Sequence, residues 1–279
     1  MGNQIYFGDN LAVLRSLPDA SVDLIYIDPP FNTGKAQVHT RLRTTHSETG
    51  SRVGFLGKRY ETVELGSLRY EDYFDDFLSF IEPRLIEARR VLTPRGSLYF
   101  HIDYREVHYC KLLLDGIFGR ESFLNEIIWA YDYGARTHRK WPAKHDNILW
   151  YAVNPNQYTF NYDEIERIPY MAPGLVGPEK AARGKTPTDT WWLTIVPTNG
   201  PERTGYPTQK PLSLLRRIIS ASSNPSDTVM DFFAGSGTTG AVCMELERSF
   251  ILVDNNPQAL SVMRERFQGE VDIEWINYE

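Results

Sequence analysis

The 279-residue chain has only two cysteines, Cys110 and Cys243, far apart in sequence, which excludes a disulfide-stapled scaffold and a cysteine-based metal cluster. Two reduced thiols are expected. No apolar run approaches the ~18 to 20 residues that a membrane span needs, so no membrane partner is expected. The opening Met1-Gly2-Asn3-Gln4 lacks the basic start and apolar stretch of a secretory signal, which makes a cytoplasmic location the expectation. An excess of positive charge is missing too. The formal net charge of −6 argues against a chain that meets a polyanion with its whole surface. Internal repeats and low-complexity tracts are also absent.

What is present is a 42% hydrophobic composition, enough for a large core, in a length that suits one α/β domain with sizeable insertions. Segments 4–7 and 22–27 are short apolar strands around a helix marked by Leu11, Leu14 and Leu17. Segment 32–68 is polar, rich in Gly and Arg and weakly periodic, too long for an ordinary connection. A helix through Phe74, Leu78, Ile81, Leu85 and Ala88 follows, with Pro83 expected to kink or split it. Thr93-Pro94-Arg95-Gly96 ends that helix before a buried strand at 97–102, a helix through Val107 to Ile117, and strands near 123–129 and 148–153. Periodicity fades over 154–207 and returns in helices and strands from Leu212 to Phe267. Alternating strands and helices imply a mainly parallel sheet with helices on both faces.

Charge is unevenly placed. Lys35, Arg41, Arg43, Arg52, Lys58, Arg59 and Arg69 face only Glu48, Glu61 and Glu64 in their stretch, and Arg136, Arg139, Lys140 and Lys144 lie in a stretch without carboxylates. Basic clusters of this kind are frequently ordinary solvated loops. Their meaning depends on what surrounds them.

Two motifs carry chemistry. Asp231-Phe232-Phe233-Ala234-Gly235-Ser236-Gly237-Thr238-Thr239-Gly240 follows a strand and opens a helix, where glycines let a ligand approach the backbone. With Asp254 at the end of the next strand, this GxGxxG pattern fits NAD(P) and S-adenosylmethionine equally well, and a structural glycine turn is the ordinary alternative. Asp28-Pro29-Pro30-Phe31 separates them. It ends a buried strand, where open α/β sheets bind ligands, although a rigid turn would also explain two prolines. An aromatic amino group is a poor nucleophile because its lone pair is delocalised. Two acceptors facing its N–H groups favour a pyramidal nitrogen, and an ionised aspartate and a proline carbonyl are acceptors without a competing N–H. Phe31 adds a face on which an extruded base can stack.

Together with Tyr206-Pro207-Thr208-Gln209-Lys210-Pro211, these motifs resemble the amino-methyltransferase family of DNA modification enzymes, in its permuted β group, where the catalytic motif precedes the cofactor motif. The resemblance covers 5–31, 90–103 and 206–267. It implies a circularly permuted, Rossmann-like α/β methyltransferase fold, with 1–279 as one catalytic domain, 32–70 as a DNA-facing loop insertion and 131–205 as a target-recognition segment. By resemblance Asp28, Pro29, Pro30 and Phe31 are catalytic. Asp231, Phe233, Ala234, Gly235, Ser236, Gly237 and Thr238 form the cofactor loop. Asp254, with Asn255 after it, stands where glutamate is commoner and meets the cofactor ribose; Asp9 meets the adenine; Thr208 and Lys210 approach the methionine end. Asp9 and Asp254 could equally cap helices, and Lys210 could be a surface charge.

The implied cofactor is S-adenosylmethionine, the implied partner double-stranded DNA, and no metal is required. Lys35, Arg136, Arg139, Lys140 and Lys144 are the candidate DNA contacts. An aspartate in first place of the tetrapeptide points to adenine N6 rather than cytosine N4, a rule with exceptions. An NAD(P) oxidoreductase lacks an evident hydride-transfer site here, and a non-catalytic DNA-binding subunit would not need both motifs intact. An RNA substrate, a homodimer and a companion restriction endonuclease stay open.

Overall fold

The computed structural model describes residues 2–31, 76–134, 136–197 and 199–278, and of 37–46, 52–53 and 59–70 the strand pairing alone. Two compact units result, one of residues 1–29 with 78–279 and one of residues 30–77.

The larger unit begins with β1 (Asn3–Phe7), α1 (Asn10–Ser16) and β2 (Val22–Ile27). In the smaller unit lie β3 (Gln37–His46), β4 (Arg52–Val53) and β5 (Arg59–Tyr70). The chain goes on through α2 (Phe77–Val91), β6 (Leu92–Ile102), α3 (Val107–Phe118), β7 (Phe123–Ala130) and β8 (His145–Ala152). After α4 (Pro178–Arg183) and β9 (Thr190–Trp192) come α5 (Leu212–Ser222), β10 (Thr228–Asp231), α6 (Thr238–Glu245), β11 (Ser249–Asp254), α7 (Pro257–Arg266) and β12 (Ile273–Asn277).

Nine strands of the larger unit form one sheet in the order β12-β1-β11-β10-β2-β6-β8-β7-β9. Every strand runs the same way except β8, which is antiparallel to both β6 and β7. The near-continuous apolar runs of β2 and β11 reflect burial on both faces. On one face α5, α6 and α7 bury Leu215, Ile219, Val242, Cys243, Ala259 and Met263 against Leu24, Tyr26, Val229 and Leu252. Strand alternation turns Ile25 and Ile27 to the other face. There α1, α2 and α3 bury Val13, Leu14, Ile81, Leu85, Cys110 and Leu114.

Four expectations change. Pro83 does not split α2, which runs on from Phe77 to Val91 with Arg84 tied to Asp9 and Asn10 and Arg90 to the Leu14 and Leu17 carbonyls across the one backbone bond that proline removes. Thr93 to Gly96 do not separate the helix from the strand but bulge within β6: α2 ends at Val91, Leu92 pairs with Val22, and the ladder resumes at Ser97 opposite Leu24. Segment 32–70 is no simple loop, since β3 and β5 pair antiparallel from Gln37↔Tyr70 to His46↔Tyr60, with β4 beside β5. Its valines and threonines favour strands even where apolar alternation is weak. Segment 131–205 is not one insertion, because β8, a fully embedded strand, runs through it. Among the described residues no helix is long and apolar enough to cross a membrane.

Candidate active site

The C-terminal ends of β1, β11, β10, β2 and β6 lie side by side, and both chemical motifs leave the sheet at this edge. After β10 the backbone turns through Gly235 (φ +50°) and Gly237 (φ +71°), left-handed values that disfavour a Cβ, and α6 starts at Thr238. A Cβ at Gly235 would also stand 3.1 Å from the Tyr206 ring. Two carboxylates tie the loop down. Asp231, buried, accepts the Thr239 hydroxyl at 2.6 Å and the Phe233 N–H at 3.1 Å. Asp254 accepts the N–H groups of Gly235 and Asn256, each at 2.8 Å. Each oxygen keeps a second lone pair. Ser236 and Thr238 share a hydroxyl hydrogen bond, and the Ala234 N–H donates to the Val253 carbonyl.

Burial, with Asp28 and Asp254 nearby, pushes the Asp231 carboxyl up to about 7. Burial also raises Asp254, against the backbone N–H groups that favour its ionised form. Three carboxyl groups that feel one another's charge at this edge make it favourable for a cation.

The Tyr206 to Pro211 motif lies across this loop. Thr238 donates its hydroxyl to the Lys210 carbonyl at 3.2 Å. The Lys210 ammonium reaches back to Oδ2 of Asp28 in an ion pair, with the Thr208 carbonyl 3.3 Å away. Thr208 itself is exposed, as is Asn255. The sequence passed over Asn256, which caps α7 by accepting the Gln258 N–H.

Asp28 follows β2 directly, and its other oxygen, Oδ1, is buried with no hydrogen-bond partner among the described residues. Nδ1 of His101 lies 3.9 Å from it. Pro29 is buried, while Pro30 and Phe31 are half-buried. Behind Asp28 runs a chain of polar groups that sequence reasoning missed: Tyr26, His101, Asp146 and Tyr131. His101 precedes Ile102 and Asp103 at a strand end, a usable signal, whereas nothing in the sequence marks Asp146 as its partner 45 residues on.

Asp9 caps α1, its Oδ1 accepting the Ala12 N–H at 2.9 Å, and its Oδ2 pairs with Arg84 at 3.2 Å. The capping alternative therefore describes Asp9, which nevertheless stands at the same sheet edge. Asn10, also unanticipated, donates to the Phe232 carbonyl at 2.7 Å and accepts from Arg84 at 2.6 Å, linking α1 and α2 to the glycine loop.

The connection 131–144 joins β7 to β8 and projects from this edge too, because Ala130↔His145 close the hairpin beyond Asn147↔Ile102. Arg136, Arg139 and Lys140 are exposed there beside Tyr133 (63%) and Trp141 (94%), basic and aromatic groups interleaved as a nucleic-acid surface requires. Lys144 is different: its ammonium pairs with Asp132 at 3.1 Å. Lys35 lies outside the described residues.

Residues 22–265 match the model of a DNA methylase family of the N6/N4 type. The chain is similar to a type II methyltransferase of Haemophilus parainfluenzae, M.HpaI, at 32% identity over 97% of this chain and 76% of that protein. It is similar to the DNA adenine methyltransferase YhdJ of Escherichia coli K12 at 33% identity over 92% and 80%. Among solved structures it resembles the M1.HpyAVI complex with S-adenosylmethionine, with a TM-score of 0.61 and 23% identity over 95% of this chain and 98% of that one, a likeness of fold.

Proposed function

The chain belongs to the DNA methylase family, and from that premise we propose that it transfers a methyl group from S-adenosylmethionine to the N6 amino group of an adenine drawn out of double-stranded DNA. One observation carries this reading: Oδ1 of Asp28 is a buried acceptor with no donor among the described residues, beside a proline carbonyl that also only accepts. That pair suits the two N–H groups of an exocyclic amine. The adenine choice is supported by the aspartate at position 28 and by the printed activity of the Escherichia coli relative.

The pocket fits the cofactor by its own chemistry. Left-handed glycines open the backbone between β10 and α6, and Asp28, Asp231 and Asp254 together favour a cation. Gly235, Gly237 and Thr238 would line it, with Phe233, Ala234 and Ser236 shaping the loop, and Asp254 would offer its remaining lone pairs to hydroxyl groups. Asp9, Asn255 and Thr208 complete the proposed contacts at the rim. When bound, S-adenosylmethionine supplies an electrophilic methyl group.

The chain's own residues do the rest. Lys210 anchors Oδ2 of Asp28, so that Oδ1 and the Pro29 carbonyl hold the amino nitrogen with its lone pair directed outward. Asp28 then accepts the surplus proton, directly or through water. Phe31, next along the chain, is assigned the stacking face. Catalysis rests on positioning and on hydrogen bonds that strengthen as the nitrogen becomes positive.

Arg136, Arg139 and Lys140 are assigned to DNA, with 131–144 and 154–189 flanking β8 as the recognition elements and 32–70 as a further DNA-facing element. Self-association and a companion endonuclease belong to the same proposal and are tested by sedimentation and by cleavage of unmethylated DNA. The main test is expression in a host without amino-methylated DNA, followed by sequencing of its modified genome. N6-methyladenine at one site is the expected result. N4-methylcytosine would overturn the base assignment, and unmodified DNA the activity.

A further inference from the structure

Tyr26, His101, Asp146 and Tyr131 stand behind Asp28 and have no part in the steps above. His101 is fully buried on β6, and Tyr26 is 2% exposed. The Tyr26 hydroxyl is 2.8 Å from Nδ1 of His101, and Oδ2 of Asp146 is 3.2 Å from Nε2. Tyr131 donates to Oδ1 of Asp146 at 3.3 Å, and the Trp129 ring meets the imidazole edge-on at 5.5 Å.

Proton placement follows from these contacts. Burial alone would raise Asp146, but the hydrogen bond from His101, the nearby Lys210 charge and the hydrogen bond from Tyr131, which all persist beside a neutral ring, act to hold it below the ordinary carboxylate value. An ionised carboxylate only accepts, so Nε2 carries the hydrogen. In a neutral ring Nδ1 is then a lone pair. Tyr26, whose proton is held by burial and by the nearby Asp28 charge, fills it by donating. No donor is thereby directed at Oδ1 of Asp28, which agrees with its lack of a partner. A second proton on the ring would reverse this. Nδ1–H would then donate to the Tyr26 oxygen at 2.8 Å, displacing that hydroxyl's own proton, and the positive ring would stand 3.9 Å from the same oxygen that the substrate amino group must reach.

We propose that His101 is the positioning residue of Asp28: held by Asp146 and Tyr26 as the neutral Nε2–H tautomer, it keeps Oδ1 open to the target amino group, and a ring proton closes that acceptor. The proposal rests on the catalytic assignment of Asp28 and extends it to pH control. The charged and titratable groups around the ring are Tyr26 and Asp28 from β2, Asp146 from β8, Tyr131 after β7, Lys210 before α5, and Asp231 at the end of β10. Asp103 and Arg105 lie farther along the β6 edge. Asp231 is held up near 7 by burial, so variants must identify the group that sets the profile.

The test combines nitrogen NMR of the imidazoles in the cofactor-free protein with pH–rate profiles of His101→Gln, Asp146→Asn and Asp28→Ala. The wild-type spectrum should show His101 as the Nε2–H tautomer. Asp146→Asn removes the carboxylate that accepts from Nε2, so the acid limb of kcat should move to lower pH. His101→Gln should abolish that limb and lower kcat by about tenfold or more through misplacement of Asp28, with the KM for S-adenosylmethionine and the melting temperature little changed. An Nδ1–H tautomer in the wild type would overturn the proposal even if a variant failed to fold. So would unchanged profiles in both conservative variants while Asp28→Ala is inactive. An active Asp28→Ala would instead overturn the underlying catalytic assignment.

Discussion

Asp254 and Asp28 end two strands at the same edge of one sheet, yet the chain treats them in opposite ways. Asp254 accepts one hydrogen bond at each oxygen, from the N–H of Asn256 two residues on and of Gly235 nineteen residues back. Asp28 depends on Lys210, 182 residues away, for one oxygen, and its other oxygen has no hydrogen-bond partner among the described residues. The first arrangement holds a loop in shape; the second holds an acceptor ready. A binding region can be built from local hydrogen bonds, but a reacting group has to be left partly unsatisfied by groups that distant chain segments bring in.

The sharpest way to break this comparison is Asp28→Ala, which should lower turnover by at least ~100-fold with little change in cofactor affinity, since it removes an acceptor used in the transition state. Single-turnover kinetics beside calorimetry would show this, and near-normal turnover would refute the role. Asp254→Ala should act the other way round. S-adenosylmethionine binding should weaken by ~1 to 3 kcal/mol while DNA affinity stays, because hydroxyl contacts and the loop tether are lost together. Equal losses of cofactor and DNA binding would show that the two regions are not separable.

Asp231 sharpens the same contrast through pH. Its folded value of about 7 lies above the ordinary 3.8, so the stabilisation from its neutral form is fully present below about 4, falls as the pH rises from there, and is gone once the pH has passed 7. Thermal melts of the cofactor-free protein should therefore fall between mildly acidic and mildly alkaline pH, with a flatter course for Asp231→Asn. A bound cationic cofactor should offset the loss. The smallest effect is expected at the rim: Lys140→Ala should weaken binding to all DNA and reduce the salt slope by about one unit. Lys144→Ala should do less, because Asp132 already pairs with that ammonium. Titrations at several salt concentrations that rank the two lysines the other way would count against the assignment.

How much of this was legible follows the same division. The glycine loop could be read because its requirements are local: two left-handed residues, a strand before and a helix after, all within ten positions. Asp28-Pro29-Pro30-Phe31 could be read because its chemistry lies in residue types placed at a strand end. The antiparallel ladder of 37–70 was less legible, since its backbone pairing needs no strict apolar alternation. The expectation that 131–205 forms one insertion failed because the apolar run of β8 shows burial but not strand order.

By itself the sequence determined the alternation of strands and helices, the glycine turn and the placing of Asp28-Pro29-Pro30-Phe31 at a strand end, since periodicity, φ preference and side-chain chemistry act within a few residues. Only the tertiary structure decided that Lys210 would hold one oxygen of Asp28, that Asp9 would be a helix cap paired to Arg84, and that His101 and Asp146 would meet behind the site. Those contacts depend on strand order and on the single reversed strand β8, which brings Asp146 beside His101. Strand order is set by packing across the whole sheet, to which no single stretch of sequence holds the key.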